Sequence, residues 1–214
     1  MAIPILIIGK SGSGKSTSMR NFAEDELALI NVMNKPLPFK KEFKSTASST
    51  DVDVIIKKIT GTNKKVAVVD DAGYIITNHF MKNHSSNKQG NAIFSLYNDL
   101  GDMFWGLIEG IKEIPENDKI VYLFMHEDTN EFGDVKPKTI GKLLDEKVCL
   151  EGLFTIVLRA AIREGKHVFL THSDGSDPVK TPIGMFEEEE IPNDLKAVDT
   201  TIREYYGLNT KGEK

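Results

Sequence analysis

Eight residues near the start of the chain have the types and spacing of a loop that binds phosphate. The pattern of such a loop, Gly-x-x-x-x-Gly-Lys-Ser, is matched at every fixed position by Gly9-Lys10-Ser11-Gly12-Ser13-Gly14-Lys15-Ser16. Glycines let the backbone wrap tightly, so that successive N–H groups converge on a phosphate. A helix that begins directly after the loop adds unpaired amide donors, which favour an anion at that place. The segment therefore predicts binding of a nucleoside triphosphate.

Side chains of the same loop supply a positive charge and a metal ligand. Lys15 is expected to reach the β- and γ-phosphates, and the Ser16 hydroxyl is expected to coordinate Mg²⁺. Thr17 follows, where a hydroxyl can contact the α-phosphate. The predicted nucleotide-binding residues are Gly9, Ser11, Gly12, Ser13, Gly14, Lys15, Ser16 and Thr17.

A pair of acids at the end of an apolar strand is the second chemical signal. The run Val66-Ala-Val-Val69 is apolar throughout, and Asp70 and Asp71 follow it directly. Such a strand delivers a carboxylate beside the phosphate loop, where the carboxylate holds Mg²⁺ directly or through water. We therefore predict that Asp70 and Ser16 are the metal ligands and that Asp71 polarises the attacking water.

A histidine ends another apolar strand. Residues 120–125 are apolar throughout and His126 follows them. A polar residue at the carboxyl end of a strand in an open α/β sheet faces the ligand crevice. His126 is therefore predicted to sense the γ-phosphate through a hydrogen bond. A structural or simply exposed histidine is the alternative that the sequence leaves open.

The elements that position these residues alternate along the chain. Strands are predicted at 4–8, 28–32, 66–69, 119–125, 154–158 and 167–171, helices at 15–22, 51–58, 93–114 and 195–206, and loops at 82–92 and 127–138. Strands that are buried on both faces and separated by helices indicate a mostly parallel sheet between helix layers. The late strands are joined by short turns and are expected to pair antiparallel at one edge. The predicted fold class is therefore α/β.

Length, charge and composition limit the classes of function. A chain of 214 residues suits one domain, which we place at 1–207 and expect to be followed by a frayed tail at 208–214. The net charge of −5 provides no global attraction for nucleic acid, so any contact with DNA has to come from local basic loops. No apolar stretch approaches the roughly 20 residues that span a bilayer. The single cysteine fits a reducing cytoplasm, where we place the protein.

Taken together, these residues resemble those of the small phage-encoded AAA/RecA-type ATPases. The resemblance rests on the phosphate-binding loop, the Asp70-Asp71 strand and the strand that ends at His126. It extends to three further segments and covers nearly the whole chain. Those segments are Lys35-Pro-Leu-Pro-Phe39, Val179-Lys-Thr-Pro-Ile-Gly-Met-Phe186 and Ile191-Pro-Asn-Asp-Leu195.

The resemblance implies a RecA-like P-loop NTPase core in which the His126 strand lies between the P-loop strand and the Asp70 strand. It also implies ATP and Mg²⁺ as cofactors, ATP hydrolysis, a homo-oligomer, and contact with single-stranded DNA during phage replication or recombination in the host cytoplasm. Lys180 resembles the basic residue that a neighbouring subunit contributes to the transition-state charge. Lys136 and Lys138 are rivals for that role and, with Lys142, are the predicted contacts to DNA phosphates.

One departure from the family pattern affects the expected chemistry. RecA carries a glutamate after its second strand, whereas the corresponding stretch here, Asn31-Val-Met-Asn-Lys-Pro36, contains no acid. Hydrolysis is therefore expected to depend on Asp71 or on Glu127, which follows the sensor histidine.

Two other functions stay open at the level of sequence. A nucleotide or nucleoside kinase also uses a P-loop, but such kinases clamp the phosphoryl group with several lid arginines, and this chain has only Arg20, Arg159, Arg163 and Arg203. An ATP-gated binding module would use the nucleotide to order loops for a partner, with little turnover.

Overall fold

Nine strands form one sheet within residues 1–85, 91–140 and 148–208, which are the residues that the computed structural model describes. The strands are β1 (Ile3–Gly9), β2 (Leu27–Asn31), β3 (Ser45–Ala47), β4 (Val66–Asp70), β5 (Ile120–Thr129), β6 (Val135–Pro137), β7 (Val157–Arg163), β8 (Lys166–Leu170) and β9 (Glu190–Pro192). The α-helices of these residues are α1 (Val52–Thr60), α2 (Gly73–Asn83), α3 (Asn91–Lys112) and α4 (Leu195–Tyr206), and two short 3₁₀ helices cover Ser16–Asn21 and Leu150–Leu153.

The sheet is parallel through its centre and antiparallel at one edge. Its strand order is β3-β2-β4-β5-β1-β7-β8-β9, with β6 paired to β5 outside this path. All pairs from β3 to β7 are parallel, whereas β7–β8, β8–β9 and β5–β6 are antiparallel. This confirms the predicted α/β fold with a mostly parallel sheet and an antiparallel C-terminal edge. The strand β5 lies between β1 and β4 as the resemblance implies, but it continues to Thr129, so that His126 lies within the strand and not at its end.

Two hydrophobic layers cover the two faces of the sheet. Side chains alternate along β1, so that Leu6 and Ile8 contact one layer while Ile5 and Ile7 contact the other. The first layer contains the apolar faces of α1, α2 and α3. The second contains the first 3₁₀ helix and α4. Burial on both faces explains why the central strands read as continuous apolar runs.

The structure corrects the helix predicted at 15–22, because this segment forms only a short 3₁₀ helix over Ser16–Asn21. The Ser18 hydroxyl donates a hydrogen bond to the Lys15 carbonyl at 2.5 Å. Hydroxyl side chains that bond to nearby backbone groups compete with regular α-helical bonding. Three consecutive hydroxyl residues, from Ser16 to Ser18, therefore favour a tighter and shorter turn of helix.

The structure also corrects the loop predicted at 127–138, because most of this segment forms a hairpin of β5 and β6. The Asn130 carboxamide oxygen accepts hydrogen bonds from the N–H groups of Phe132 and Asp134, at 3.0 and 2.8 Å. An asparagine that bonds to the backbone two residues further on forms a tight turn. This turn brings β6 back along the extended end of β5.

The helices predicted at 51–58, 93–114 and 195–206 agree in type with the structure, as do the strands predicted at 4–8, 28–32, 66–69, 119–125 and 167–171. The strand predicted at 154–158 begins later, because β7 covers Val157–Arg163. The loop predicted at 82–92 is wrong at its two ends, which belong to α2 and α3, and residues 86–90 lie outside the described residues. Asp51 caps α1, because its carboxylate accepts a hydrogen bond from the Val54 N–H at 3.0 Å. Helix α2 was not predicted. The predicted tail after Leu208 lies outside the described residues. In the described part of the chain, no helix has both the length and the apolar character needed to cross a membrane.

Candidate nucleotide-binding site

A cleft of 770 Å³ opens at the carboxyl ends of β1, β4 and β5. Ligands of open α/β sheets bind at this end of the strands. The residues that line the cleft are Lys10, Ser11, Gly12, Gly14, Lys15, Ser16, Thr17, Lys35, Pro36, Pro38, Asp70, Asp71, Gly73, Tyr74, Thr77, His126, Glu127, Lys138, Thr139 and Ile140. Nine of the residues predicted to bind nucleotide or metal or to act in catalysis therefore share one cavity, namely Ser11, Gly12, Gly14, Lys15, Ser16, Thr17, Asp70, Asp71 and His126.

Close packing at two glycines shapes the P-loop. A Cβ atom at Gly9 would lie 2.5 Å from the Ser13 hydroxyl and 2.6 Å from the Ala160 carbonyl, so a larger residue does not fit. Gly14 has a φ of +101°, which other residues rarely adopt. The loop can therefore wrap tightly enough for its amides to converge on one phosphate.

Residues near the C-terminus support the P-loop from behind. The His167 Nδ1 atom, on β8, lies 3.0 Å from the Ser13 carbonyl and donates to it, because a carbonyl oxygen only accepts. The buried Asn193 side chain packs against Gly14. Arg20 donates to the Asn193 carbonyl at 2.6 Å. These contacts to the P-loop were not predicted, and in the sequence only the family-like segment from Ile191 to Leu195 pointed to them.

The Lys15 ammonium group lies inside the loop that it follows. Its Nζ donates to the carbonyl oxygens of Gly9 and Lys10, at 2.7 and 3.0 Å. Burial lowers the pKa of Lys15 to about 8, against the opposing attraction of Asp71 and Asp70. The side chain therefore stays protonated at neutral pH and is close to the place where phosphate oxygens are expected.

Ser16 and Asp70 meet as predicted for a pair of metal ligands. The Ser16 hydroxyl donates to the Asp70 Oδ1 atom at 2.9 Å. Burial of Asp70 raises its pKa to about 6, although the hydrogen bond from Ser16 acts in the other direction. Adjacent hydroxyl and carboxylate oxygens are the donors that Mg²⁺ prefers beside nucleotide phosphates. In the described residues, no group of three or more His, Cys, Asp or Glu side chains is placed to hold a metal ion.

Two side chains, those of Lys35 and His126, contact Asp71 in the cleft. Its Oδ2 atom lies 2.5 Å from Lys35 Nζ, and its Oδ1 atom lies 3.5 Å from His126 Nε2. Burial acts to raise the pKa of Asp71, but the hydrogen bonds with His126 and Lys35 outweigh it and lower the pKa to about 2. The backbone of Asp71 has a φ of +60°, which turns the chain sharply after β4. His126 lies level with Gly9 in the pairing of β5 with β1. The contact between Lys35 and Asp71 was not predicted from the sequence.

Glu127, the predicted alternative to Asp71, is bound to an arginine. Its two carboxylate oxygens accept hydrogen bonds from Nε and Nη2 of Arg159, at 2.8 and 2.9 Å. Arg159 also lies 3.3 Å from an Asp177 carboxylate oxygen. Both acids that the sequence offers for activating water, Asp71 and Glu127, are therefore paired with a cation in the cleft.

The sequence of the chain matches a known family over most of its length. Residues 1–181 match the family described as AAA domain. The chain belongs to the AAA-domain family. No curated protein sequence matches it. Among solved structures, a KaiC-like protein from the hyperthermophilic archaeon Pyrococcus horikoshii OT3 is similar with a TM-score of 0.49 and 14% identity, over 78% of this chain and 77% of that one.

Family membership and the geometry of the cleft agree. The P-loop, the acidic end of β4 and the inserted β5 occupy the positions that a P-loop NTPase fold requires. This AAA-domain protein is therefore an ATP-binding protein of the P-loop ATPase class.

In this AAA-domain ATPase, the predicted lysines are distributed over different places. Lys138 lines the cleft, and its N–H donates to the His126 carbonyl at 2.7 Å. Lys136 lies opposite Asp128 in the β5–β6 hairpin and is not among the cleft-lining residues of the described chain. Lys142 lies outside the described residues.

Lys180 lies away from the cleft of its own molecule. It forms an antiparallel bridge with Val157, with backbone hydrogen bonds of 2.9 and 3.0 Å. Val157 pairs with Leu6, three residues before Gly9 in β1. The Lys180 side chain is exposed and is not among the residues that line the cleft in the described chain.

Positive charge in the cleft of the AAA-domain ATPase comes from lysines. None of the four arginines of the sequence, all of which lie in described segments, lines the cleft. Arg20 contacts Asn193, and Arg159 contacts Glu127 and Asp177. Arg163 contacts Glu190, and Arg203 contacts Asp199. This distribution disfavours a kinase that clamps its phosphoryl group with arginines.

Proposed function

We propose that the chain is a magnesium-dependent ATP hydrolase that works with single-stranded DNA in phage replication or recombination. The observation that carries the catalytic part is the 2.9 Å contact between Ser16 and Asp70 beside the P-loop. Mg²⁺ held by these two side chains would neutralise charge on the β- and γ-phosphate oxygens.

The proposed roles of the other residues follow from their places in the cleft. Backbone amides between Gly12 and Ser16 bind the phosphates, while Lys15 exchanges the Gly9 and Lys10 carbonyls for phosphate oxygens. Asp71 orients the attacking water, and His126, 3.5 Å from Asp71, contacts the γ-phosphate. Lys180 acts in the cleft of a neighbouring subunit in a homo-oligomer.

The DNA part of the proposal is supported by the family resemblance and by lysines near the cleft. Lys136 lies on the hairpin that follows His126, and Lys138 connects that hairpin to the cleft wall. A chain of net charge −5 can bind DNA only through such local groups, and the binding should be sensitive to salt.

Release of inorganic phosphate from ATP tests both parts. We expect Lys15→Ala to lower the rate by about a hundredfold or more, because it removes a charge that stabilises the transition state. We expect single-stranded DNA to raise the rate of the wild-type protein, and the stimulation to fall with salt and with Lys136→Glu.

Exposed Lys58 on α1 provides matched controls, since Lys58→Ala and Lys58→Glu change a charge away from the cleft. A rate of ATP hydrolysis in Lys15→Ala equal to that of the wild-type protein would refute the proposed site. Hydrolysis that single-stranded DNA does not change would refute the DNA part alone. Kinase activity is tested by incubating the protein with Mg-ATP and a panel of nucleosides and measuring phosphorylated nucleoside as the product.

A second candidate function is an ATP-gated binding module with little turnover. It is favoured by one observation, namely that both acids near the γ-phosphate position, Asp71 and Glu127, are paired with cations. Tight binding of Mg-ATP without release of phosphate, with or without DNA, would select this function over the first.

A further inference from the structure

Lys35 brings a positive charge to the mouth of the nucleotide cleft. Its Nζ lies 2.5 Å from Asp71 Oδ2 and 5.6 Å from the centroid of the Tyr74 ring. The Lys35 side chain is 55% exposed, whereas that of Asp71 is 9% exposed. The ammonium group therefore sits between solvent and the buried carboxylate, on the side of the cleft that contains the predicted water-activating acid.

The backbone of Lys35 is fixed by a side chain at the end of β2. The Asn31 amide donates to the Lys35 carbonyl at 2.7 Å and accepts from the Lys35 N–H at 3.2 Å. Asn31 itself is 8% exposed. One buried carboxamide thus satisfies both backbone polar groups of Lys35, which holds the start of this side chain in place at the cleft.

The chemistry of the cleft requires a cation in this position. Phosphoryl transfer places negative charge on the γ-phosphate oxygens, and cationic side chains stabilise that charge. None of the four arginines lines the cleft, Arg159 is paired with the cleft residue Glu127, and Lys15 is 6% exposed within the P-loop. Lys35 is the cleft lysine that already contacts Asp71, and it therefore lies nearest to the place where water is expected to attack.

We propose that Lys35 binds the γ-phosphate of ATP within the same subunit, and that Asp71 holds it in place until ATP arrives. This inference rests on the proposed function. When ATP binds, Lys35 exchanges the Asp71 carboxylate for a γ-phosphate oxygen, and the released carboxylate oxygen becomes available to the attacking water. ADP lacks that phosphate, so Lys35 stays with Asp71 when ADP is bound.

The test compares the dissociation constants of the Mg²⁺ complexes of ADP and of the non-hydrolysable β,γ-imido analogue of ATP. We expect Lys35→Ala to weaken binding of the analogue about tenfold or more and to leave ADP binding within about twofold, because one charge-assisted contact to the γ-phosphate is lost. The kcat for ATP should fall about tenfold to a hundredfold for the same reason. Lys35→Arg keeps the charge and should recover part of both losses.

Two further variants separate Lys35 from other cations. Lys40→Ala removes an exposed lysine from the same loop outside the nucleotide cleft, and we expect it to behave as wild type. Lys138→Ala removes another exposed lysine of the cleft wall, and it should not change the preference for the analogue over ADP. If Lys138→Ala abolishes that preference and Lys35→Ala does not, the assignment of Lys35 is wrong.

The outcomes separate the inference from the proposed function. A wild-type protein that binds neither Mg-nucleotide contradicts the proposed function itself. A wild-type protein that binds and hydrolyses ATP, with an unchanged nucleotide preference in Lys35→Ala, contradicts only the inference. Equal losses for ADP and the analogue in Lys35→Ala would show that Lys35 merely supports the shape of the cleft, and would also overturn it.

Discussion

Asp70 and Asp71 are neighbours in sequence, but their surroundings move their pKa values in opposite directions. Burial raises the pKa of Asp70 to about 6. Burial also acts on Asp71, but hydrogen bonds with His126 and Lys35 outweigh it and lower the pKa to about 2. Titratable groups whose pKa values are pushed apart commonly have different roles. Both acids are buried, and the difference in pKa agrees with the separate roles proposed for them, with Mg²⁺ at Asp70 and water at Asp71.

The raised pKa of Asp70 predicts a pH-dependent stability. Its ordinary value is 3.8, and a raised folded-state pKa stabilises the protein below that value and loses this contribution as the pH rises through about 6. Without nucleotide and Mg²⁺, we expect Asp70→Asn to reduce the fall in the free energy of unfolding between these two pH values. Urea unfolding at a series of pH values measures it. The exposed Asp25 gives the control Asp25→Asn, and coincident pH curves for Asp70→Asn and wild type would contradict the prediction.

At the residue scale, the sequence predicted contacts within contiguous motifs better than contacts between distant segments. The P-loop was predictable because its spacing is set by the chemistry of a bound triphosphate. The Asp70–Ser16 contact, across 54 residues, followed from the expectation that both side chains bind the same Mg²⁺. The ion pairs of Asp71 with Lys35 and of Glu127 with Arg159 were not predictable, because ion pairs across a sheet have no characteristic sequence spacing. Only the folded chain shows that the two acids nearest the water position are paired.

At the scale of elements, a buried polar network docks α4 against the sheet. Arg203 and Asp199 form an ion pair of 2.6 Å, and the Tyr122 hydroxyl donates to Asp199 at 2.9 Å. Arg203 also donates to the carbonyls of Asp118 and Lys65, at 2.7 and 3.0 Å. These carbonyls precede β5 and β4, so α4 is attached at the end of the sheet opposite to the cleft.

Loss of one partner in this network should lower stability without changing the nucleotide site. We expect Asp199→Ala to cost about 3–5 kcal/mol of the free energy of unfolding, because it leaves the Arg203 charge buried and unpaired. Tyr122→Phe removes one hydrogen bond and should cost about 1 kcal/mol. Denaturant unfolding measures both.

The surface pair of Lys196 and Glu26, 2.7 Å apart, provides a control on the same helix. Lys196→Ala should cost less than about 1 kcal/mol, because solvent screens this pair. A cost for Asp199→Ala as small as that for Lys196→Ala would show that the network does not hold α4. Mg-ATP affinity should be the same in all three folded variants.

Elements with a clear hydrophobic period were predicted well, and elements set by local side-chain bonding were not. The predicted helix at 195–206 matches α4, and the predicted strands lie at β1, β2, β4, β5, β7 and β8. The 3₁₀ helix after the P-loop and the hairpin at Asn130 escaped prediction, since both depend on hydroxyl or amide groups that bond to nearby backbone. The short strands β3, β6 and β9 contain too few residues to show a period.

At the scale of the whole molecule, the position of Lys180 concerns assembly. Lys180 is paired to β7 at the level of Leu6, away from the cleft of its own subunit. If it acts on nucleotide, the neighbouring copy has to approach with a different surface from the one that carries the cleft. Such a head-to-tail interface produces rings or filaments rather than a two-fold dimer.

Mixing two inactive variants tests this trans arrangement. We expect Lys180→Ala and Lys15→Ala each to hydrolyse ATP slowly alone. A one-to-one mixture should regain roughly a quarter of the wild-type rate, since a site is complete when an intact P-loop meets an intact Lys180 across a head-to-tail interface. The control mixes Lys58→Ala with Lys15→Ala. A mixture no faster than the separate variants would exclude the trans role of Lys180.

The hydrogen bond from His167 to the Ser13 carbonyl joins the nucleotide loop to the antiparallel margin of the sheet, 3.0 Å from atom to atom. Strand β8 therefore shares any displacement of the P-loop, and β9, which is paired with β8, is the last strand of that margin. A molecule that docks along this margin and shifts β8 would change the affinity of the P-loop for ATP. Thermodynamic linkage then requires ATP to change the affinity of the protein for that molecule by the same factor.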